Sequence, residues 1–490
     1  MDSLSQQAFL HGPPRPLMLT LEGRTESPFE LYGRIASEHQ PSFLLETGAG
    51  SKNKSCYSFL GSHPTAITSR LEDLRLATAN PHPQSSTWGK PSGIEPIPNL
   101  PPFFGGAVGY ISYDFVRCLE AVPSMAADDL QIPTVQFGLF ELVTAVDHLH
   151  NRIQVIFCPS LERFHGESRD RLYREGVERV RACAATLTGP TRGSMVASME
   201  SIPFVAEQKK EEYLDRVRRC QRYIAQGDIY QANLSHRFSF EIPAAYQTGA
   251  QRFQYEQSLF HHLRTINPSP FSSLLRFDKV SLICCSPERL VRLQGGRAET
   301  RPIAGTRPRG ENISEDRALV EELLTNDKER AEHLMLVDLE RNDLGRVCEF
   351  GSVVVDEFMA VEQYSHVNHI VSNVSGTIRQ DVTPFDVINA TFPGGTITGV
   401  PKVRCMEIIE ELEPVRRGPY TGSLGYIGWN GDLDLNIIIR TLVLTGHKGY
   451  LQVGAGVVAD SIPDREYEET LHKAQSFFTS LGRDAPCGST

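Results

Sequence analysis

Tyr230-Gln231-Ala232-Asn233-Leu234-Ser235-His236-Arg237-Phe238-Ser239-Phe240 alternates from end to end. In an extended chain Tyr230, Ala232, Leu234, His236, Phe238 and Phe240 fall on one face, and Gln231, Asn233 and Ser235 on the other. The pattern predicts a long strand. Just upstream, Tyr213, Val217, Cys220 and Ile224 recur at helical spacing, and Gly227 stops that helix. Further strands are expected at 43–45, 135–146, 280–285, 353–356, 436–444 and 451–458. Helices are expected at 314–339, 384–390, 403–411 and 464–481. No internal repeat and no strict βαβ alternation is present, so the fold class is α+β, not a doubly wound parallel sheet.

Two segments read as linkers or long loops. Residues 79–102 are rich in Pro, Ser and Gly, and residues 187–203 are rich in Gly, Ser and Met without periodicity. From about residue 205 onward the pattern becomes denser. A length of 490 residues allows two to four domains, or one large interleaved unit.

Composition excludes several classes. Apolar residues make up 40% and charged residues 22%, enough for an ample core. The net charge is −11 and no Lys/Arg run occurs, so nucleic acid is not an expected partner. An anionic substrate must then be held by a few placed arginines. The ten cysteines include no C-x-x-C pair and read as buried thiols, not as a disulfide frame or zinc site. No secretory signal and no stretch of 18 apolar residues is visible, so no membrane association is expected and the cytoplasm is the expected location.

The chemistry gathers in a few places. Glu299-Thr300-Arg301-Pro302-Ile303-Ala304-Gly305-Thr306-Arg307-Pro308-Arg309-Gly310 crowds arginines around a Gly-Thr pair. Guanidinium forks match carboxylates, Gly305 permits close backbone approach and Thr306 adds a hydroxyl, so the loop suits a ligand rich in carboxylates. Glu332 shares a helix face with Met335, Leu336 and Leu339, where a carboxylate is costly unless a cation or hydrogen bonds hold it. It is either a rim glutamate paired with Lys328 or Arg330, or a metal ligand. A second acidic helix, Glu466-Tyr467-Glu468-Glu469-Thr470, supplies a partner. Two such glutamates with substrate and waters describe a Mg²⁺ site. Periodicity leaves Glu468 and Glu469 equally eligible.

Pro393-Gly394-Gly395-Thr396-Ile397-Thr398-Gly399-Val400-Pro401-Lys402 is a glycine-rich turn before a helix N-terminus, where anions bind. It lacks Walker spacing, so nucleotide is not expected. Gly454, Ala455 and Gly456 offer close backbone approach or mark a bulge. Arg440 interrupts an apolar run and needs an anion, from the protein or from a ligand. His369 is either a proton shuttle or a satisfied structural histidine. Glu288, in Ser286-Pro287-Glu288, is a general acid if its surroundings raise its pKa.

Together these segments resemble the chorismate-utilising enzymes, a family that includes anthranilate, aminodeoxychorismate, isochorismate and salicylate synthases. The likeness covers about residues 205–482, with weaker likeness near 43–47 and 105–117. It implies a large α+β sandwich of two interleaved subdomains with the active site in a cleft. It also divides the chain into an N-terminal region (1–200), a chorismate-binding catalytic domain (205–482) and a tail (483–490). By resemblance, Gly305, Thr306, Tyr420, Arg440 and the backbone of Gly454, Ala455 and Gly456 hold chorismate, as does Lys402 beside its glycine turn. Glu332 and Glu469 match the Mg²⁺ ligands. Glu288 matches the acid that protonates the departing C4 hydroxyl, and His369 and Thr396 lie close to the ring. Mg²⁺ would anchor the ring carboxylate and withdraw charge.

Water-using members place a lysine where this chain has Gln231, so ammonia is the expected nucleophile. No Cys-centred amidotransferase motif is present, and a separate glutamine amidotransferase subunit is the expected partner. Asn233, Glu340, Gly394-Gly395 and Asp434-Leu435-Asn436 resemble the C4-aminating aminodeoxychorismate synthases, and Asn233, Gly394-Gly395 and Asn436 are expected to line the pocket. Ala304 and Thr396 lean toward the anthranilate synthases, in which the amine is added at C2. Leu44-Leu45-Glu46-Thr47 departs from the Leu-Leu-Glu-Ser tryptophan motif, so Glu46 and Thr47 are regulatory candidates only. The expectation is C4 amination of chorismate, with anthranilate formation as the alternative. A non-catalytic regulatory subunit on the same fold is the alternative of another class, disfavoured because an inactive copy has no need of costly buried charges.

Overall fold

The computed structural model describes residues 5–47, 57–78, 94, 97–189, 201–364 and 367–481. The tail at 483–490 and most of the linkers expected at 79–102 and 187–203 lie outside these residues. Among the described residues the strands form two antiparallel sheets flanked by helices, an α+β sandwich. No described helix is long and apolar enough to cross a membrane.

The predicted strand is Gln231–Glu241, and the helix before it is Lys210–Gln226, capped by Gly227 at φ 84°. Both faces of the strand are buried. Ala232 and Leu234 pack in one core cluster with Tyr213 and Val217. Phe238 and Phe240 pack in another, where Phe204 and Phe478 meet them edge-on. Each such side chain contributes about 1.5–3 kcal/mol on burial.

The first sheet runs Leu17–Glu22, Arg152–Phe157, Leu142–Asp147, Tyr57–Ser62, Ser42–Glu46, Phe271–Arg276, Val280–Ser286, Thr441–Thr445, Lys448–Val457, Gln231–Glu241 and Gly399–Val400. The second includes Ile303–Pro308, Val367–Thr377, Arg289–Gln294, Leu433–Ile437, Ser423–Gly428, Gly106–Ile111 and Val135–Phe140. Residues before 200 therefore give strands to both sheets.

Three apolar stretches switch sheets midway. The run expected as one strand at 135–146 is two, Val135–Phe140 in the second sheet and Leu142–Asp147 in the first. The run at 436–444 likewise breaks between Leu433–Ile437 and Thr441–Thr445, with Arg440 in the left-handed region at φ 52°. Val280–Ser286 and Arg289–Gln294 switch at Pro287 and Glu288. The last two corners are tied together: Ile437 N–H donates to the Glu288 carbonyl at 3.0 Å, and Cys285 N–H donates to the Arg440 carbonyl at 3.0 Å. Glu288 and Arg440 thus stand where the chain passes between sheets.

The helix expected at 314–339 is also two, Ile313–Thr325 and Asp327–Gly345. Asn326 ends the first and caps the second, its side chain accepting from Glu329 N–H at 3.1 Å.

Candidate functional site

One wall of the cleft is the pairing of Gln231–Glu241 with Lys448–Val457, in which Asn233 faces Gly456 and Ser235 faces Gly454. The ladder is regular there, so the glycines mark no bulge. A Cβ on Gly454 would stand 2.5 Å from Asn233 Oδ1 and 2.8 Å from the Tyr420 hydroxyl, and one on Gly456 would stand 2.6 Å from Gln231 Nε2. Only glycine lets these polar groups lie against the strand. Buried Arg417 braces the wall. It donates to the carbonyls of Asn233 and Ile397, pairs with Glu413 at 2.7 Å and lies over the rings of Tyr113 and Tyr420.

At the mouth, Gln231 Nε2 donates to Glu332 Oε1 at 2.7 Å. Burial first, and then the charges of Glu329 and Glu469, raise the Glu332 pKa against that hydrogen bond. Glu469 pairs with Lys473 at 2.8 Å, and Lys473 also donates to the Gly454 carbonyl at 3.0 Å. Glu468 instead acts on Lys210. Two carboxylates from two helices that repel one another suit a cation with strong preference for oxygen and for retained water, such as Mg²⁺. Among the described residues no set of three or more His, Cys, Asp or Glu gathers for a metal with a fuller protein cage.

At the back, Glu288 is buried, and desolvation pushes its pKa up to about 7 against the pull of Thr396, the Ile303 N–H, Arg440 and Lys473. His369 Nδ1 shares a hydrogen bond with the Thr306 hydroxyl at 2.8 Å. Burial, then Arg440, pulls this imidazole down to about 3, so it is neutral. Burial lowers the pKa of the Arg440 guanidinium against the charge of nearby Glu288. Three buried atoms here have no hydrogen-bond partner: Gln231 Oε1, Asn233 Oδ1 and His369 Nε2. A fold rarely leaves such atoms bare except where a ligand or water completes them.

Other expected residues are placed elsewhere. The arginines of 299–310 do not reach for a ligand. Arg301 pairs with Glu357 and Glu362, Arg307 with Glu322 and Glu329, and Arg309 with Asp316. Gly305, at φ 78° in a register shift opposite Ile370 and His369, makes room for Glu329 and Leu323. Lys402 is engaged by Asp343 at 2.5 Å and by the Thr391 carbonyl at 3.3 Å, facing another cavity. Asn436 was expected in the reaction pocket. It lines instead a cavity of about 200 Å³ with Glu46, Thr47 and Asp434, because its amide is turned to Leu424 N–H and Cys284. Lys473 and Arg417 escaped sequence reasoning. Lys473 carried a signal, four residues after Glu469 on one helix face, whereas Arg417 showed nothing to separate it from Arg416.

A sequence profile for chorismate binding enzymes matches residues 40–479. The chain is 39% identical over 484 residues to anthranilate synthase component 1 of Acetivibrio thermocellus, covering 95% of each. It is also 39% identical over 469 residues to aminodeoxychorismate synthase component 1 of Bacillus subtilis (strain 168), covering 94% of this chain and 96% of that one. The crystal structure of anthranilate synthase component I from Streptococcus pneumoniae TIGR4 superposes with a TM-score of 0.71 at 32% identity, over 90% of this chain and 91% of that one. A match of this extent, to both synthases alike, fixes the family and not the product: the chain belongs to the chorismate binding enzymes.

Proposed function

We propose that the chain is the large component of an aminodeoxychorismate synthase, replacing the C4 hydroxyl of chorismate with an amino group on the way to 4-aminobenzoate and folate. The observation that carries the reading is the buried Glu288, poised near neutral pH to give a proton, in a cleft whose other polar atoms await a partner. Glu288 protonates the departing hydroxyl. Gln231, neutral and turned to Glu332, offers no base to activate water, so ammonia is the nucleophile and the enclosed cleft keeps water from competing. Arg440, Tyr420 and the strand at 454–456 hold the substrate carboxylates, Thr306 orients His369, and Thr396 stands beside Glu288. Glu332 and Glu469 would hold Mg²⁺, which would anchor the ring carboxylate and withdraw charge from the ring. Residues 205–482 carry this chemistry. A separate glutamine amidotransferase subunit supplies the ammonia, and the cytoplasm is the proposed setting.

Asn233, with its free Oδ1 in the cleft, and Glu340 favour C4 amination over C2. Ala304 and Thr396 favour the second reading, an anthranilate synthase component I. Product analysis decides between them. Purified chain with Mg²⁺, chorismate and an ammonium salt at alkaline pH should give a product that keeps its enolpyruvyl ether and needs a separate lyase to become 4-aminobenzoate. Because Ala304 offers no amine, the intact mass of the chain should be unchanged. Fluorescent 2-aminobenzoate with pyruvate would establish the second reading, and no turnover at all would point to a regulatory subunit. Glutamine should serve only when the partner subunit is added.

A further inference from the structure

The helix Asp327–Gly345 carries two buried carboxylates for which the reaction above has no task, Glu340 and Asp343, 7% and 3% exposed. Glu340 Oε1 lies 3.6 Å from where a side chain on Gly395 would begin, one residue before Thr396, which stands beside Glu288. One helical turn further, Asp343 accepts from Lys402 Nζ at 2.5 Å. Asp343 and Lys402 form part of the wall of a cavity of about 1030 Å³ that reaches solvent beside the exposed Tyr230. Acidic groups therefore follow one another from that cavity to the back of the cleft.

The charges facing them are few. Glu340 meets Asp343, Lys402, Glu288 and the Thr300 hydroxyl, and Asp343 meets Lys402 and Arg346. Glu288 meets Arg440, Lys473 and Thr396. Burial first, and then the neighbouring Asp343 carboxylate, push the Glu340 pKa upward and favour its protonated form.

Proton balance gives such a group a purpose, on the proposed C4 amination. The C4–O bond breaks, and the hydroxyl takes the Glu288 proton and leaves as water. The lone pair of NH₃ makes the new C–N bond, and the product nitrogen keeps three hydrogens and a positive charge. Glu288 is left as a carboxylate, and one proton must enter from solvent before the next turnover.

We propose that Glu340, backed by Asp343 and Lys402, relays that proton from the outer cavity to Glu288. Glu340 is a positioning residue in this scheme, acting through Glu288 without touching substrate.

Glu340→Gln in the full chain tests the relay, with chorismate, Mg²⁺ and a fixed concentration of free NH₃. With enzyme in excess, the first turnover should stay within about twofold of wild type, because Glu288 starts protonated. Steady-state turnover should fall roughly 10- to 100-fold, within the span of lost acid–base assistance, and formate or acetate should restore part of it. Asp343→Asn should show the same split, and it stands in if Glu340→Gln does not fold. Equal loss in both phases, or no loss in either, would overturn the relay. The product is identified in the same samples, so 2-aminobenzoate would count against the C4 reading, while the split between phases judges the relay.

Discussion

The cleft around Glu288 and the cavity around Glu46 lie in the same sandwich and use the same kinds of residue, yet they treat them oppositely. In the smaller cavity polar groups satisfy one another. Glu46 pairs with Arg264 at 2.5 Å, Asp434 with Arg289 at 2.9 Å and Arg292 with Glu299 at 2.5 Å. The Thr47 hydroxyl donates to the Tyr57 carbonyl at 2.9 Å, and its N–H donates to the Ser58 hydroxyl at 3.2 Å. In the cleft Gln231, Asn233 and His369 each keep a bare buried atom. Each such atom costs about 1–3 kcal/mol. Bare buried atoms also occur elsewhere among the described residues, at Gln154 and Tyr255 for example, but in the cleft they gather beside Glu288 and Glu332, where a bound molecule would offset their cost, and none lines the smaller cavity.

The contrast breaks most sharply at Glu332. Glu332→Gln should abolish turnover while the far-UV circular dichroism stays that of wild type, because one proposed Mg²⁺ ligand loses its charge but not its shape. Glu288→Gln should come next, lowering kcat about 10²- to 10⁴-fold. The wild-type pH profile carries the same information. A carboxyl raised to about 7 is the active acid only while protonated, so the rate per free NH₃ should fall as pH rises through about 7. A rate per free NH₃ that is flat from pH 6 to 9 would remove Glu288 from that role. Glu46→Gln should act the other way, costing roughly 1–3 kcal/mol in denaturant unfolding by weakening the pair with Arg264, with kcat changed less than about twofold, the scale expected away from reacting groups. The smallest effect is expected at Thr47→Ala, where one hydrogen bond worth about 1 kcal/mol is lost, again read by denaturant unfolding.

The sequence discloses these two regions unequally. Periodicity yields Gln231–Glu241 and Lys210–Gln226, because local spacing and a stop at Gly227 suffice. It misses the switches at Glu141, at Glu288 and at Arg440. Glu141 and Arg440 lie in stretches that read as continuous strand, and Glu288 lies just past the strand expected at 280–285; only the packing of two sheets decides where the chain crosses. Glu332 was visible as a carboxylate on an apolar helix face. The arginines at 301, 307 and 309 misled for the same reason that the switches did: their partners, from Asp316 to Glu362, are brought up by tertiary structure. Glu469 was separable from Glu468 only by family likeness, and in the structure it is Glu469 that acts on Glu332.

Chorismate-dependent protection against thermal unfolding tests most directly whether the incomplete cleft, and not the complete cavity, receives the substrate. With Mg²⁺ present, chorismate should raise the melting temperature of the wild-type chain and of Thr47→Ala by the same amount, and should leave Glu332→Gln where it was. Protection that persists in Glu332→Gln but vanishes in Thr47→Ala would place the substrate in the other cavity and contradict the account.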